Sequence, residues 1–257
     1  MNMLQEKNSH YLGIQKSFEK ALHTYDDEAI IQLQISKFLI DYFAHLKPSP
    51  KKVLDLGCGT GLVTDHLCKT LSISSLHLND FAQGSLTKAC HRLKEVQPEG
   101  MFFNFDEEWL CRGLYDLIFS NMALQWSLDL PVVLKKCHSH LKQNAILAFS
   151  LPITGSFFEL SPHQIIPFHT FDRICQILSN IGFYILKSDQ ILLNQEFRTH
   201  LHALKSIKRC GASYVHQNCK LKMIERTKLF LPSMLTYKIG IFIVIKSSKD
   251  ESFYNRN

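Results

Sequence analysis

Apolar residues recur at helical spacing from Tyr11 to about Leu46, at Phe18, Leu22, Tyr25, Ala29, Ile30, Leu33, Phe38 and Tyr42. This predicts two helices with a break near Asp26 and Asp27, after a loose polar end over residues 1–10. Pro48 and Pro50 close the segment and introduce an extended run. The pattern then changes character. Short apolar runs over 53–56, 74–78, 101–105, 115–119 and 145–151 predict five strands, and helical periodicity over 62–70, 86–96 and 131–141 fills the gaps between them. Asn144 stands where a helix-ending glycine is usual, a position asparagine tolerates because it enters the left-handed region more readily than most residues. Further on, a helix over 171–181 closed by Gly182, a strand over 183–193, a helix over 197–208 broken by Gly211, and a last strand over 237–246 are expected. Alternation first and an irregular strand pair last imply an α/β fold: a seven-stranded, mostly parallel sheet with an antiparallel closing strand. Residues 1–46 are expected to form an N-terminal helical lid segment. Residues 47–257 form the main domain, with a helical cap insertion at about 194–230.

Composition narrows the class without naming it. At 257 residues the chain can bury one sizeable core, and its net charge of +6 suggests an acidic partner while falling short of a nucleic-acid signature. The eight cysteines are scattered with no CxxC pair, and no signal peptide opens the chain, so reduced thiols in a cytoplasmic protein are expected. The apolar run near residues 239–245 is far too short to span a bilayer. His138 with His140, and His200 with His202, form HxH pairs. On a helix such residues point to different faces and no third ligand is at hand, so they read as surface histidines and no metal is expected.

The candidate chemistry lies in Lys51 to Gly61, KKVLDLGCGTG. A strand ending in Asp55 runs into glycines at alternate positions, Gly57, Gly59 and Gly61, and then into a helix. Glycine lets the backbone turn through conformations a Cβ would strain and lets a ligand lie against the main chain. The spacing is not the GxGxxG of dinucleotide sites. An acid followed by GxGxG is what the S-adenosylmethionine (SAM) sites of class I methyltransferases look like, since this donor has no diphosphate and carries an ammonium that a carboxylate can hold. Asp80, 19 residues beyond Gly61, ends the second strand, where a ribose is held by its hydroxyls; the competing reading is a helix N-cap. Asp106 suits an adenine amino group or begins a solvated helix with Glu107 and Glu108. Cys58 in the loop and Asn121 after the fourth strand complete the cofactor-side set. Ligands sit beyond the carboxyl ends of the strands, so Gln125 and Trp126 become substrate-side candidates, Trp126 being alternatively a structural tryptophan. Tyr25 is either a lid residue over the site or a core tyrosine.

Several separated stretches carry a closer resemblance. SFEKALHTYDDEAIIQLQ, VLDLGCGTG, FSNMALQWSLDL, LAFSLPITGSFFEL, HALKSIKRCGASYVH and LTYKIGIFIVIK together span Ser17 to Lys246, and the chain resembles the malonyl-acyl-carrier-protein O-methyltransferases of biotin synthesis. That resemblance implies a Rossmann-like class I fold with SAM as cofactor. It also implies methyl transfer to the free carboxylate of a malonyl thioester on acyl-carrier protein or coenzyme A. Asp55, Gly57 and Gly59 match the SAM loop, Asp80 the ribose carboxylate and Asp106 the acid after the third strand. Tyr25, Gln125 and Trp126 match substrate-side positions. An acidic carrier protein is expected to dock on Lys205, Lys208 and Arg209, continued by Lys220, Lys222, Arg226 and Lys228, a cluster that reads equally as an ordinary solvated face. A cytoplasmic monomer is expected, binding neither nucleic acid nor membrane. The alternatives are another methyltransferase of this fold, acting on a small carboxylic acid or a phenol, and a SAM-binding protein without turnover.

Overall fold

The computed structural model describes residues 3–46, 49–111, 113–160, 165–212 and 231–247. Three helices precede the sheet: α1 (Met3–Ala21), the single turn α2 (Tyr25–Glu28) and α3 (Ile30–Ala44). The expected loose end is therefore helical from Met3. His10 and Ile14, one turn apart, share a buried face, which the polar composition around them concealed.

The remaining elements alternate as the periodicity demands: β1 (Lys52–Leu56), α4 (Leu62–Thr70), β2 (Ser75–Asp80), α5 (Gln83–Arg92), β3 (Glu99–Phe102), β4 (Tyr115–Asn121), α6 (Leu130–His140) and β5 (Leu141–Pro152). They are followed by α7 (Phe171–Ile181), β6 (Phe183–Phe197), α8 (His200–Arg209) and β7 (Ser233–Lys246). Among the described residues seven strands form one sheet in the order β3-β2-β1-β4-β5-β7-β6. β1, β2, β3, β4 and β5 pair in parallel, and β7 lies antiparallel between β5 and β6.

The strand period of two sorts the core onto both faces. Val53, Leu117, Phe119, Ile241 and Ile243 face α3, α4 and α5 through Leu39, Phe43, Leu67 and Leu86. Their neighbours Leu54, Ile118, Phe149, Phe242 and Val244 face α6 and α7 through Val133, Leu134, Ile174 and Leu178.

Among the boundaries that depart from expectation, three have a plain physical cause. β3 stops at Phe102 because β2 ends at its register partner Asp80, leaving Met101 O and Phe103 O to accept from Asn79 Nδ2. β6 continues past residue 193 to Phe197 because β7 offers partners to the end, Phe197 opposite Ser233. Asn144 does take a left-handed φ of 62°, yet it lies inside β5, where the register with β4 shifts between Tyr115 and Leu117. The helix has already ended at His140. Residues 213–230, with Lys220, Lys222, Arg226 and Lys228 and about half of the expected cap insertion, lie outside the described residues.

Candidate active site

The strand order reverses direction around β1, with β2 on one side and β4 on the other, so the crevice of a doubly wound sheet opens at the carboxyl ends of β1 and β4. The glycine loop fills its floor. Gly57 has a φ of 79°, and a Cβ there would stand 2.5 Å from the Cβ of Ala123. Gly59 has a φ of 55°, and a Cβ there would point to within 3.8 Å of the Tyr25 hydroxyl. The loop is pinned to β2 by the N–H groups of Gly57 and Cys58, which both donate to Asn79 O at 2.9 and 2.8 Å. Gly59 N then donates to Asp80 Oδ2 and Ala82 N to Asp80 Oδ1, each at 2.8 Å. Asp80 thus braces the loop while keeping acceptor capacity on both oxygens. The Cys58 thiol is buried and pushed up in pKa by that burial, so this residue serves the loop through its backbone.

Asp55 is 2% exposed and accepts from Thr64 Oγ1 at 2.5 Å. Burial raises its carboxyl to about 7, against the hydrogen bond from Thr64. Burial likewise raises Asp80 to about 6, against the backbone donors of Ala82 and Gly59. Two carboxyls held above their usual range beside a glycine turn are poised to ionise when a cation arrives. Both folded-state values lie above the unfolded one, so their contribution to stability is complete below the unfolded carboxyl range. It is lost as pH rises through about 6 and about 7. A ligand that needs them charged must displace protons. We therefore expect affinity for a cationic ligand to fall as pH is lowered from about 8 to about 5.5, with proton release on binding at neutral pH. Calorimetry in buffers of different ionisation enthalpy checks both; a pH-independent affinity would mean that neither carboxyl meets the ligand.

The N-terminal helices cover this floor through specific contacts. Asp26 accepts from Thr60 Oγ1 at 2.5 Å and Arg92 Nη2 at 2.6 Å and pairs with Lys88 Nζ at 2.8 Å. Burial would raise its carboxyl, but these partners outweigh it and hold the pKa low. Glu19 accepts from Gly84 N at 2.9 Å and Gln15 Nε2 donates to Phe81 O at 2.7 Å. Tyr25 is held next to Asp26, its phenol kept neutral chiefly by burial and then by nearby Cys210 and Asp80, and among the described residues its hydroxyl has no hydrogen-bond partner. Phe18 meets Trp126 edge to face at 5.6 Å.

Tyr25, Gly57, Gly59, Asp80, Asn121 and Trp126 therefore share one cleft, and Asp55 and Cys58 lie in the adjoining recess under Tyr25. Asn121 links the sheet to α3, donating to Gln32 O at 3.0 Å and accepting from Ser150 Oγ at 2.9 Å. Asp106 is placed apart: Tyr11, Ser127 and the Leu128 N–H occupy its two oxygens, at 3.0, 2.6 and 3.1 Å, and it is absent from the lining of the cleft. Beyond Met122 and Trp126 the cleft meets a second, mostly apolar pocket with Gln125, Phe157, Leu160 and Tyr237 in its wall. Met122 has a φ of 53°, a strained backbone at the junction of the two spaces. Sequence reasoning did not assign Tyr237 or Gln32 to a site; their signals were only the LTY of the last strand and one polar position in a helix. Lys205, Lys208 and Arg209 are exposed on α8, with Arg209 Nε 2.7 Å from Glu28 Oε1. Among the described residues no group of three His, Cys, Asp or Glu is suited to a metal, and no helix is long and apolar enough to cross a membrane.

Sheet order and glycine-floored cleft together define a class I SAM-dependent methyltransferase. Residues 54–147 match the family described as Methyltransferase domain. Solved structures agree in fold: a protein of Bacillus halodurans superposes with a TM-score of 0.60 at 12% identity, covering 81% of this chain and 97% of that one. The N-methyltransferase NodS of Bradyrhizobium japonicum, in complex with S-adenosyl-L-homocysteine, gives 0.56 at 12%, covering 82% and 85%. Sequence is more particular. The chain is 37% identical to malonyl-[acyl-carrier protein] O-methyltransferase 2 of Coxiella burnetii over 93% of its own length and 98% of that protein. It belongs to the malonyl-[acyl-carrier protein] O-methyltransferase family.

Proposed function

We propose that this chain methylates the free carboxylate of a malonyl thioester, carried on acyl-carrier protein or on coenzyme A, using SAM. The ester conceals a charge and lets the chain be elongated toward the pimeloyl thioester of biotin synthesis. The observation that carries the reading is the identity with a relative of that name over nearly the whole of both chains. If it holds, the gene restores biotin-free growth to a bacterial strain lacking its own malonyl-carrier methyltransferase. Failure to do so, with the protein expressed and folded, would reject it.

The cleft's residues fit the donor. A Cβ-free floor at Gly59, the buried carboxyl of Asp55 with the half-buried one of Asp80, and an aromatic wall of Phe18, Phe81 and Trp126 suit a cation linked to a flat base. Asp55 and Asp80 hold it by charge, Asp80 taking the ribose hydroxyls on the lone pairs that Gly59 and Ala82 leave free. The Asn121 amide fixes α3 above the loop, and Cys58 contributes through its backbone. The Asp106 carboxylate acts at one remove, tying α1 to the segment before α6. When bound, SAM supplies an electrophilic methyl group on a sulfonium leaving group. A malonyl carboxylate is already ionised near neutral pH, so no residue is needed as a base. The chain's task is to hold an oxygen in line and exclude water, which is catalysis by orientation. Trp126 and Phe18 dry the junction, and the Tyr25 phenol, neutral and without an internal partner, donates to the carboxylate. Tyr25→Phe is accordingly expected to lower kcat/KM by about tenfold, one hydrogen bond to a charged group. Steady-state constants equal to those of the parent enzyme would remove Tyr25 from the site.

Lys205 and Lys208, exposed on α8, dock the acidic carrier and mainly raise the association rate. Arg209 is shared with Glu28 and so also ties α8 to the lid. Reversing the charge at Lys205 and Lys208 is expected to raise KM for the carrier substrate about tenfold and leave that for the coenzyme A ester within about twofold. Equal effects on both would reject docking there. The same reading takes the chain as a cytoplasmic monomer with residues 1–46 as lid.

A further inference from the structure

Three side chains of the pocket beyond Trp126 already spend a hydrogen-bond donor inside the protein. The Tyr237 hydroxyl donates to Gln195 Oε1 at 3.2 Å, and the Cys210 thiol donates to Glu28 O at 3.3 Å. Gln125 Nε2 donates to Met122 O at 2.8 Å. A carbonyl oxygen can only accept, so this bond fixes which end of the Gln125 amide is which. The other end, Oε1, is shielded from solvent and accepts no hydrogen bond. No cationic side chain lines the pocket among the described residues, and apolar residues, Phe157, Leu160, Ile165, Phe168 and Ile207 among them, make up most of its wall.

An apolar pocket with one unmet acceptor is unsuited to a carboxylate, which would set oxygen against oxygen. It is suited to an uncharged chain carrying an N–H. A buried acceptor left without a partner keeps its full desolvation cost, which a ligand donor would recover. Resting on the reading above, we propose that Gln125 is a specificity-determining residue: its Oε1 accepts from an amide N–H of the arm that carries the malonyl thioester. Coenzyme A and acyl-carrier protein present the same arm. Because Met122 and Trp126 line both spaces, a substrate lying this way has its amide in the apolar pocket and its carboxylate at the Tyr25 end, beside the donor. Substrate direction is thereby set by two opposite groups, a neutral phenol for the anion and an orphan carbonyl for the N–H.

The test compares malonyl-coenzyme A with an analogue in which the amide nearest the sulfur is replaced by an ester, in the parent enzyme and in Gln125→Met. The parent is expected to prefer the amide by at least about tenfold in kcat/KM, since a site built to bond an N–H rejects a ligand lacking it. In the variant the preference falls to within about twofold, whatever the loss common to both substrates. If the parent treats amide and ester alike, or if the variant slows both equally and keeps the preference, Gln125 serves only to hold Met122 and the proposal is overturned. Turnover of neither thioester, by the parent enzyme with SAM bound, would instead overturn the malonyl reading and this inference with it.

Discussion

Asp80→Asn is expected to weaken SAM binding by about 100-fold, or about 3 kcal/mol. The carboxylate accepts from Gly59 N and from Ala82 N, one on each oxygen. An amide has a single acceptor, so one of these buried N–H groups would face an NH2 instead, and the turn that Gly59 makes would lose its brace. The negative charge next to the bound cation disappears as well. Because the defect is in seating the donor, it should show as a raised KM for SAM with a smaller fall in kcat. Calorimetric titration reads it directly, and an affinity within about twofold of the parent would remove Asp80 from the donor site.

Gly57→Ala should be the most damaging single change to the loop. Its φ of 79° penalises any Cβ, and the new methyl would stand 2.5 Å from Ala123 Cβ in a wall where both neighbours are fixed. We expect a loss of about 3 kcal/mol and a melting temperature lower by about 6–12 °C, with SAM binding abolished because Ala123 also lines the cleft. Ala123→Gly in the same chain relieves the collision but leaves the backbone strain, so it should restore part of the stability. A variant as stable as the parent would show that the loop can adopt another path.

Local chemistry explains why so much of this was legible. The VLDLGCGTG stretch encodes strand, turn and helix within a few residues, and strand ends at Asp80 and Asn121 follow from hydrophobic runs giving way to polar residues. Tyr25 and Trp126, assigned to one site from opposite parts of the chain, do line one cleft. What stayed hidden depends on partners far along the sequence. Tyr11 and Ser127 divert Asp106 into a clasp on α1, a role that the acidic run Asp106-Glu107-Glu108 does not announce. Residues 194–197 form strand rather than cap because β7 is long enough to pair with them. The helical start at Met3 was masked because, among the side chains described from residue 7 on, a narrow face including His10 and Ile14 is buried. Tyr237 looks like any core tyrosine of a strand until the fold sets it opposite Gln125 in the same pocket.

Methyl transfer itself is the most direct test of the account. With methyl-labelled SAM and malonyl-acyl-carrier protein, mass spectrometry of the isolated carrier arm should find one added methyl, located as an ester on the malonyl carboxylate and absent from Gly57→Ala. Label on another group, or none on any malonyl thioester while SAM demonstrably binds, would contradict it.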